Sequence, residues 1–247
     1  MRSPLVAQLA HVELLVPDAA GAIGALVGAH ALAFAAAHAG SAFLRGSEDW
    51  LRYSLKVTDA AALGVGHVAW RTSSAETLRQ AVAALAASGR GLGWTAGDVG
   101  HGPSYRFQGP SGHVHEVLWE AEGAPADGPG RPTALAGLDH VTLTGPSAPE
   151  RDAAFFADVL GFRRVPGPPA DERTGVRLAA TGGGFDLEVV AAAPGCARGL
   201  HHVGMRRSDV ARAPGVSALA PALAALGIAA ADGRAATVSP AFPAPTA

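Results

Sequence analysis

The dipeptide His-Val recurs four times at the head of an apolar run, and this recurrence constrains the fold more than any other feature of the chain. The runs are "LAHVELLV" at 9–16, "VGHVAWRT" at 65–72, "LDHVTLTG" at 138–145 and "LHHVGMRR" at 200–207. Their histidines, His11, His67, His140 and His202, lie 56, 73 and 62 residues apart. A period near 60 residues predicts four copies of one supersecondary unit. A helix pattern follows each run. In "SSAETLRQAVAALAASG" at 73–89, Ser precedes an acidic first turn and Gly stands at the end. In "PERDAAFFADVLGF" at 149–162, Gly161 is the terminator, and in "SALAPALAALG" at 217–227, Pro221 shortens or kinks the helix. Strand-like runs fill the remainder, at 50–58, 103–109, 113–120 and 185–191. Each unit therefore reads as a strand, a helix and three strands.

The stretch "EGAPADGPGRPTALAG" at 122–137 is rich in Pro and Gly, lacks periodicity and accounts for the longest interval between histidines. It divides the chain into an N-terminal domain at 5–121, a linker at 122–136 and a C-terminal domain at 137–247, each holding two units around a shared cavity. Composition excludes several functions. A net charge of -2 of mixed sign carries no electrostatic footprint for nucleic acid or anionic lipid. The Ala- and Gly-rich stretch at 20–40 lacks the bulk of a membrane span. Without a recognisable signal segment, and with Cys196 as the single cysteine, the expected compartment is the cytoplasm.

Aligned on His-Val, His11, His67, His140 and His202 are equivalent, and strand alternation places His201 on the face opposite His202. A histidine on an apolar strand is usually a core residue with its ring hydrogen-bonded; recurrence at one structural position weighs toward metal ligation, since neutral imidazole is a common ligand. His113 and His115 share a face and point away from Glu116. Arg206 and Arg207 read as a solvated strand end.

With "GHVAWRTSSAETL", "GPSGHVHEVLWE" and "LDHVTL…AAFFADVLGF…GLHHVG" in place, the sequence resembles the vicinal oxygen chelate superfamily and, within it, the type I extradiol ring-cleavage dioxygenases of the catechol 2,3-dioxygenase group. The resemblance covers about residues 5–242. It implies an α+β fold of four βαβββ modules paired into two domains, the glyoxalase/bleomycin-resistance/extradiol dioxygenase fold, with the fourth module incomplete. It also implies a catechol-type aromatic substrate, O2, and Fe(II), in some members Mn(II), held in the second domain by two His and one Glu. The corresponding sites of the first domain are implied to be generally vestigial. Carried over by position, the two histidines are His140 and His202.

The sequence departs from that pattern in two places. Glu116 follows His67 by 49 residues, so the counterpart of Glu116 after His202 falls at about position 251, beyond Ala247. Phe185, before Asp186, stands where many members carry the acid–base His, so no catalytic acid or base is assigned. Setting "GHVHEVL" at 112–118 beside "GFDLEVV" at 184–190 aligns Glu116 with Glu188, which gives His140, His202 and Glu188 as the candidate metal ligands. The competing reading of Glu188 is a solvent-facing residue or a partner of Arg177. The alternative for the whole chain is a non-catalytic scaffold that binds a small ligand. An incomplete fourth module predicts an open sheet edge, which oligomerisation can cover, and a second domain that unfolds before the first.

Overall fold

In the computed structural model the described residues are 3–28, 31–123, 133–146, 148–166, 175–180, 184–192, 198–207 and 228–231. The expected helix at 217–227, the surroundings of Cys196 and the segment 232–247 lie outside them.

Three units repeat the order strand, helix, three strands. The first is β1 (Gln8–Val16), α1 (Ala19–Gly28), β2 (Ala33–His38), β3 (Ser41–Arg45) and β4 (Leu55–Asp59). The second is β5 (Gly64–Arg71), α2 (Ala75–Ala87), β6 (Gly91–Thr95), β7 (Ser104–Gln108) and β8 (Val114–Leu118). The third is β9 (Leu135–Gly145), α3 (Pro149–Leu160), β10 (Arg163–Val165), β11 (Gly175–Ala179) and β12 (Leu187–Ala191). The fourth contributes β13 (Gly199–Arg207) and β14 (Ile228–Ala231). Units one and two share an eight-stranded sheet, β2-β3-β4-β1-β5-β8-β7-β6; units three and four share a six-stranded one, β10-β11-β12-β9-β13-β14. Among the described residues no helix is long and apolar enough to cross a membrane.

The helix signals act where the sequence places them. Ser74 Oγ accepts the Thr77 backbone N–H at 3.0 Å, opening α2. Pro149 opens α3 and Gly161, at φ 78°, closes it in the left-handed conformation. Of the span expected to be linker, residues 124–132 lie outside the described residues. Thr133, Ala134, Leu135 and Ala136 are buried, and β9 already begins at Leu135.

Strand alternation sorts every first strand into two faces. Val12 and Leu14 of β1, Val68 and Trp70 of β5, Val141 and Leu143 of β9, and Val203 and Met205 of β13 all enter one apolar core with the helices. His11, His67, His140 and His202 are left to the other face. That core is continuous between the two sheets: the Trp70 ring meets Phe156 and Phe162 of the α3 region edge-on, with centroids 6.4 and 5.0 Å away.

A buried carboxylate also joins the halves. Asp152, in the first turn of α3, accepts the backbone N–H of Ser111 at 3.0 Å and its hydroxyl as well. Asp152→Ala removes a charged acceptor from a buried N–H, and we expect it to lower the unfolding free energy by about 2–3 kcal/mol in urea denaturation. Asp152→Asn, which keeps an acceptor oxygen, should lose less.

Candidate metal centres

Strand register builds two equivalent clusters. In the first unit β4 runs parallel to β1 with Lys56 opposite Glu13; in the second β8 runs parallel to β5 with Glu116 opposite Ala69; in the third β12 runs parallel to β9 with Glu188 opposite Thr142. Glu13, Ala69 and Thr142 each stand two residues after the unit's histidine, so Lys56, Glu116 and Glu188 occupy one structural position. The alignment of Glu116 with Glu188 is thus matched by backbone register. In the fourth unit β14 runs parallel to β13 with Ala229 opposite Gly204, two residues after His202. The strand position that carries Glu116 in the second unit carries Ala229 in the fourth. Each pair of units therefore presents two His and one Glu: His11, Lys56, His67 and Glu116 in the first, His140, Glu188, His202 and Ala229 in the second.

In the first cluster His11 Nε2 and His67 Nε2 are 2.9 Å apart. Glu116 Oε1 lies 3.6 Å from the former and 3.5 Å from the latter. All three side chains are buried, and among the described residues they are the one group of three whose ligand atoms converge closely enough to hold a metal ion. His67 Nδ1–H donates to Glu13 Oε2 at 2.8 Å, and Glu13 Oε1 accepts from Thr58 at 2.7 Å. Burial and neighbouring His67 push the His11 pKa well below the ordinary imidazole value. Against burial, Glu116 and Glu13 raise that of His67. Despite burial, His67 and Thr58 with Lys56 bring Glu13 down to about 2; His67, His11 and His101 hold Glu116 well below the carboxylate range.

In the second cluster His140 Nε2 and His202 Nε2 are 3.0 Å apart, with the rings edge-on. Asp139 Oδ2 accepts His140 Nδ1–H at 2.7 Å, which leaves the Nε2 lone pair facing inward. Gly204 is required here, because a Cβ on it would fall 2.2 Å from His140 Cε1. The structure revises the expected face of His201. A β-bulge between Leu200 and His202 leaves His201 without a register partner and turns it beside its neighbour, Nδ1 to Nδ1 at 2.7 Å. Glu188 does not join the two histidines directly: Oε1 accepts from Arg177 Nε–H at 2.8 Å and Oε2 from Thr142 at 2.9 Å. Phe185 packs on the His140 ring at 4.4 Å between centroids, beneath the Arg177 guanidinium. The imidazole pair suits a metal; the carboxylate suits it in type and strand position and is held by Arg177.

No protein-family model matches the sequence. Metapyrocatechase of Geobacillus stearothermophilus is 39% identical over 171 residues, which is 64% of this chain and 52% of that protein. The chain is its homologue and spans about half its length. The 2,3-dioxygenase LapB of Pseudomonas sp. KL28 superposes with a TM-score of 0.75 at 20% identity, covering 91% of this chain and 82% of that one. The fold is that of the vicinal oxygen chelate proteins. The Mn(II)-bound glyoxalase of Novosphingobium aromaticivorans shares it, with a TM-score of 0.70 at 18% identity over 83% of this chain and 67% of that one. In this chain the sequence singled out His140, His202, Glu188 and the triad His11, His67 and Glu116. It missed Glu13, Asp139 and His101. Asp139 and Glu13 were legible as carboxylates near a candidate ligand; His101, in an irregular loop, carried no spacing signal.

Proposed function

We propose that the chain performs extradiol cleavage of a catechol-type aromatic with O2, using Fe(II) held in the second domain by His140, His202 and Glu188. The observation that carries this reading is the pair of inward imidazoles 3.0 Å apart on adjacent strands, beside a glutamate at the ligand-bearing register position. Its chemical class comes from the homologue named metapyrocatechase. Two His and one carboxylate would hold the metal and leave room at it for both catechol oxygens and O2. Bound iron would supply the redox coupling between ring and O2; Mn(II) is the other candidate.

The side chains divide the remaining work. Asp139 holds His140 in the tautomer that presents Nε2, as carboxylate partners of ligand histidines do. His201 and His202 share a proton between their Nδ1 atoms, so ligation through His202 Nε2 sets the protonation of His201. Glu188 must exchange Arg177 and Thr142 for the metal. We place the reaction in the cytoplasm, in keeping with the lone Cys196.

Ala229 in the strand position of Glu116 and the Arg177 hold on Glu188 favour the second reading, a scaffold that binds a small ligand without turnover. Anaerobic Fe(II) titration followed by O2 and catechol separates the two. Under the first reading a yellow ring-cleavage product forms, and activity falls at least about 1,000-fold, some 4 kcal/mol, in His140→Ala, His202→Ala and Glu188→Gln. Absence of product from iron-loaded protein favours the scaffold.

A further inference from the structure

We propose that Arg71, held against the indole rings of Trp50 and Trp119, anchors the carboxylate of a small aromatic acid in a cleft of the first domain. This site is independent of the reaction assigned to the second domain.

Arg71 is a cation without an anion. It ends β5, where Trp70 enters the core, so alternation turns Arg71 to the opposite face of the sheet. Among the described residues its Nε is buried without a hydrogen-bond partner, and no carboxylate pairs with the guanidinium. Burial lowers its pKa, and no neighbouring charge raises it back. The guanidinium carbon lies 4.8 Å from the Trp50 ring centroid and 4.4 Å from that of Trp119. Indole rings satisfy a guanidinium through its face, by cation–π attraction. They leave its edge unanswered, because the N–H groups lie in the guanidinium plane and need an oxygen acceptor. A buried charged donor left unpaired is costly, and a ligand oxygen removes that cost. Trp50 is 57% exposed, so its ring serves this contact rather than the core.

The surroundings of Arg71 select the ligand. Arg71 and Trp119 line a cleft of about 580 Å³ together with Asp98, Glu120 and Glu122, and Arg71 is the one Arg or Lys on that lining. Lys56 holds Asp98 at 2.6 Å and Arg52 holds Glu122, so neither carboxylate turns to Arg71. Glu120 has no cation against it among the described residues. One cation beside an uncompensated Glu120 favours a singly charged ligand over phosphate or a polyanion. A carboxylate also matches the guanidinium fork with two parallel N–H···O bonds. The volume is that of a small-molecule site, and the Trp119 indole gives an aromatic body a flat apolar wall. Backbone hydrogen bonds set the walls in advance: Glu122 N–H donates to the Gly100 carbonyl at 2.7 Å, Gly102 N–H to the Glu120 carbonyl at 3.0 Å and Arg52 N–H to the Glu122 carbonyl at 3.0 Å.

The test titrates benzoate into the chelator-treated full chain, followed by calorimetry and by tryptophan fluorescence. We expect one benzoate per chain with a saturable change in fluorescence. Benzamide, of the same shape without the charge, should bind at least about 10-fold more weakly, and inorganic phosphate should not compete. Arg71→Lys keeps the charge but loses the fork, and it should weaken benzoate binding at least about 10-fold while circular dichroism shows the fold retained. Trp50→Leu, at an exposed ring outside the core, should weaken it several-fold. Absence of saturable binding, equal binding of benzamide, or unchanged affinity in Arg71→Lys would overturn the proposal. Displacement by phosphate would overturn it too, since the site would then be one for bare anions. Benzoate binding should survive His140→Ala and His202→Ala; its loss there would place the ligand in the second domain instead.

Discussion

Phe156→Ala is expected to remove about 3–5 kcal/mol of stability, enough to unfold a marginal protein outright. Phe156 is fully buried on α3, in the second half of the chain, yet its closest aromatic partners outside the helix include Trp70, Phe107 and His115 of the first half, with ring centroids 6.4, 6.2 and 5.1 Å away. Truncation leaves a cavity lined from both sheets, and the rings around it are held by strands and cannot close over it. Because the core is continuous, the loss should lower a single transition. Urea denaturation followed by tryptophan fluorescence and by circular dichroism should give coincident curves shifted together. The expectation of a second domain that melts first rested on an open sheet edge; packing of α3 against β5 and β8 argues for one cooperative unit. Two separated transitions, with Trp70 fluorescence reporting only the later one, would show that the shared core does not couple the halves.

The repeated part of the architecture was legible because it is written in local chemistry. Four His-Val runs announce four first strands, Ser74 and Gly161 mark helix ends through side-chain capping and left-handed backbone, and alternation separates Val12 and Leu14 from His11 and Glu13. What the sequence withholds is long-range register. Counting 49 residues from His202 sends the last-strand counterpart to about 251, and what the count does not show is that β14, which begins at Ile228, pairs beside β13 with Ala229 opposite Gly204. The bulge before His202 is hidden for the same reason. One inserted residue turns His201 to the side of its neighbour, and no composition signal marks it. His101 was missed because a loop residue has no periodicity to betray it; only the fold brings it to Glu116.

Acidification of the metal-free protein should destabilise it well before its carboxylates titrate. His115 is fully buried among Trp70, Phe107 and Phe156, and its Nδ1 accepts the indole N–H of Trp70 at 3.2 Å; burial first, then nearby His113 and His67, push its pKa well below 6.5. Burial also lowers His113, whose Nε2–H donates to the Thr144 carbonyl at 2.8 Å. Burial keeps His115 neutral when folded and moves His113 in the same direction, while both protonate near 6.5 when unfolded. Above that pH neither contributes to the pH dependence. Below it the unfolded chain binds protons that the folded chain refuses, so stability falls as pH falls. His115 sets a limiting slope of about 1.4 kcal/mol per pH unit, and His113 adds to it in the same direction. His11, also lowered, adds to this trend below 6.5, while His67, raised, acts above 6.5, where its uptake of a proton in the folded chain raises stability as pH falls. The carboxylates act in a lower window: Glu13, at about 2, and Glu116, lower still, give stability that is present above the unfolded value of 4.5 and lost beneath it. Urea-derived unfolding free energies between pH 7.5 and 5 should therefore drop steeply below 6.5. His115→Gln keeps an acceptor for Trp70 but cannot titrate, and it should remove about 1.4 kcal/mol per pH unit from the slope. A flat profile from pH 7 to 5 in the parent chain would mean that these imidazoles take up protons in the folded state, which burial against three aromatic rings does not allow.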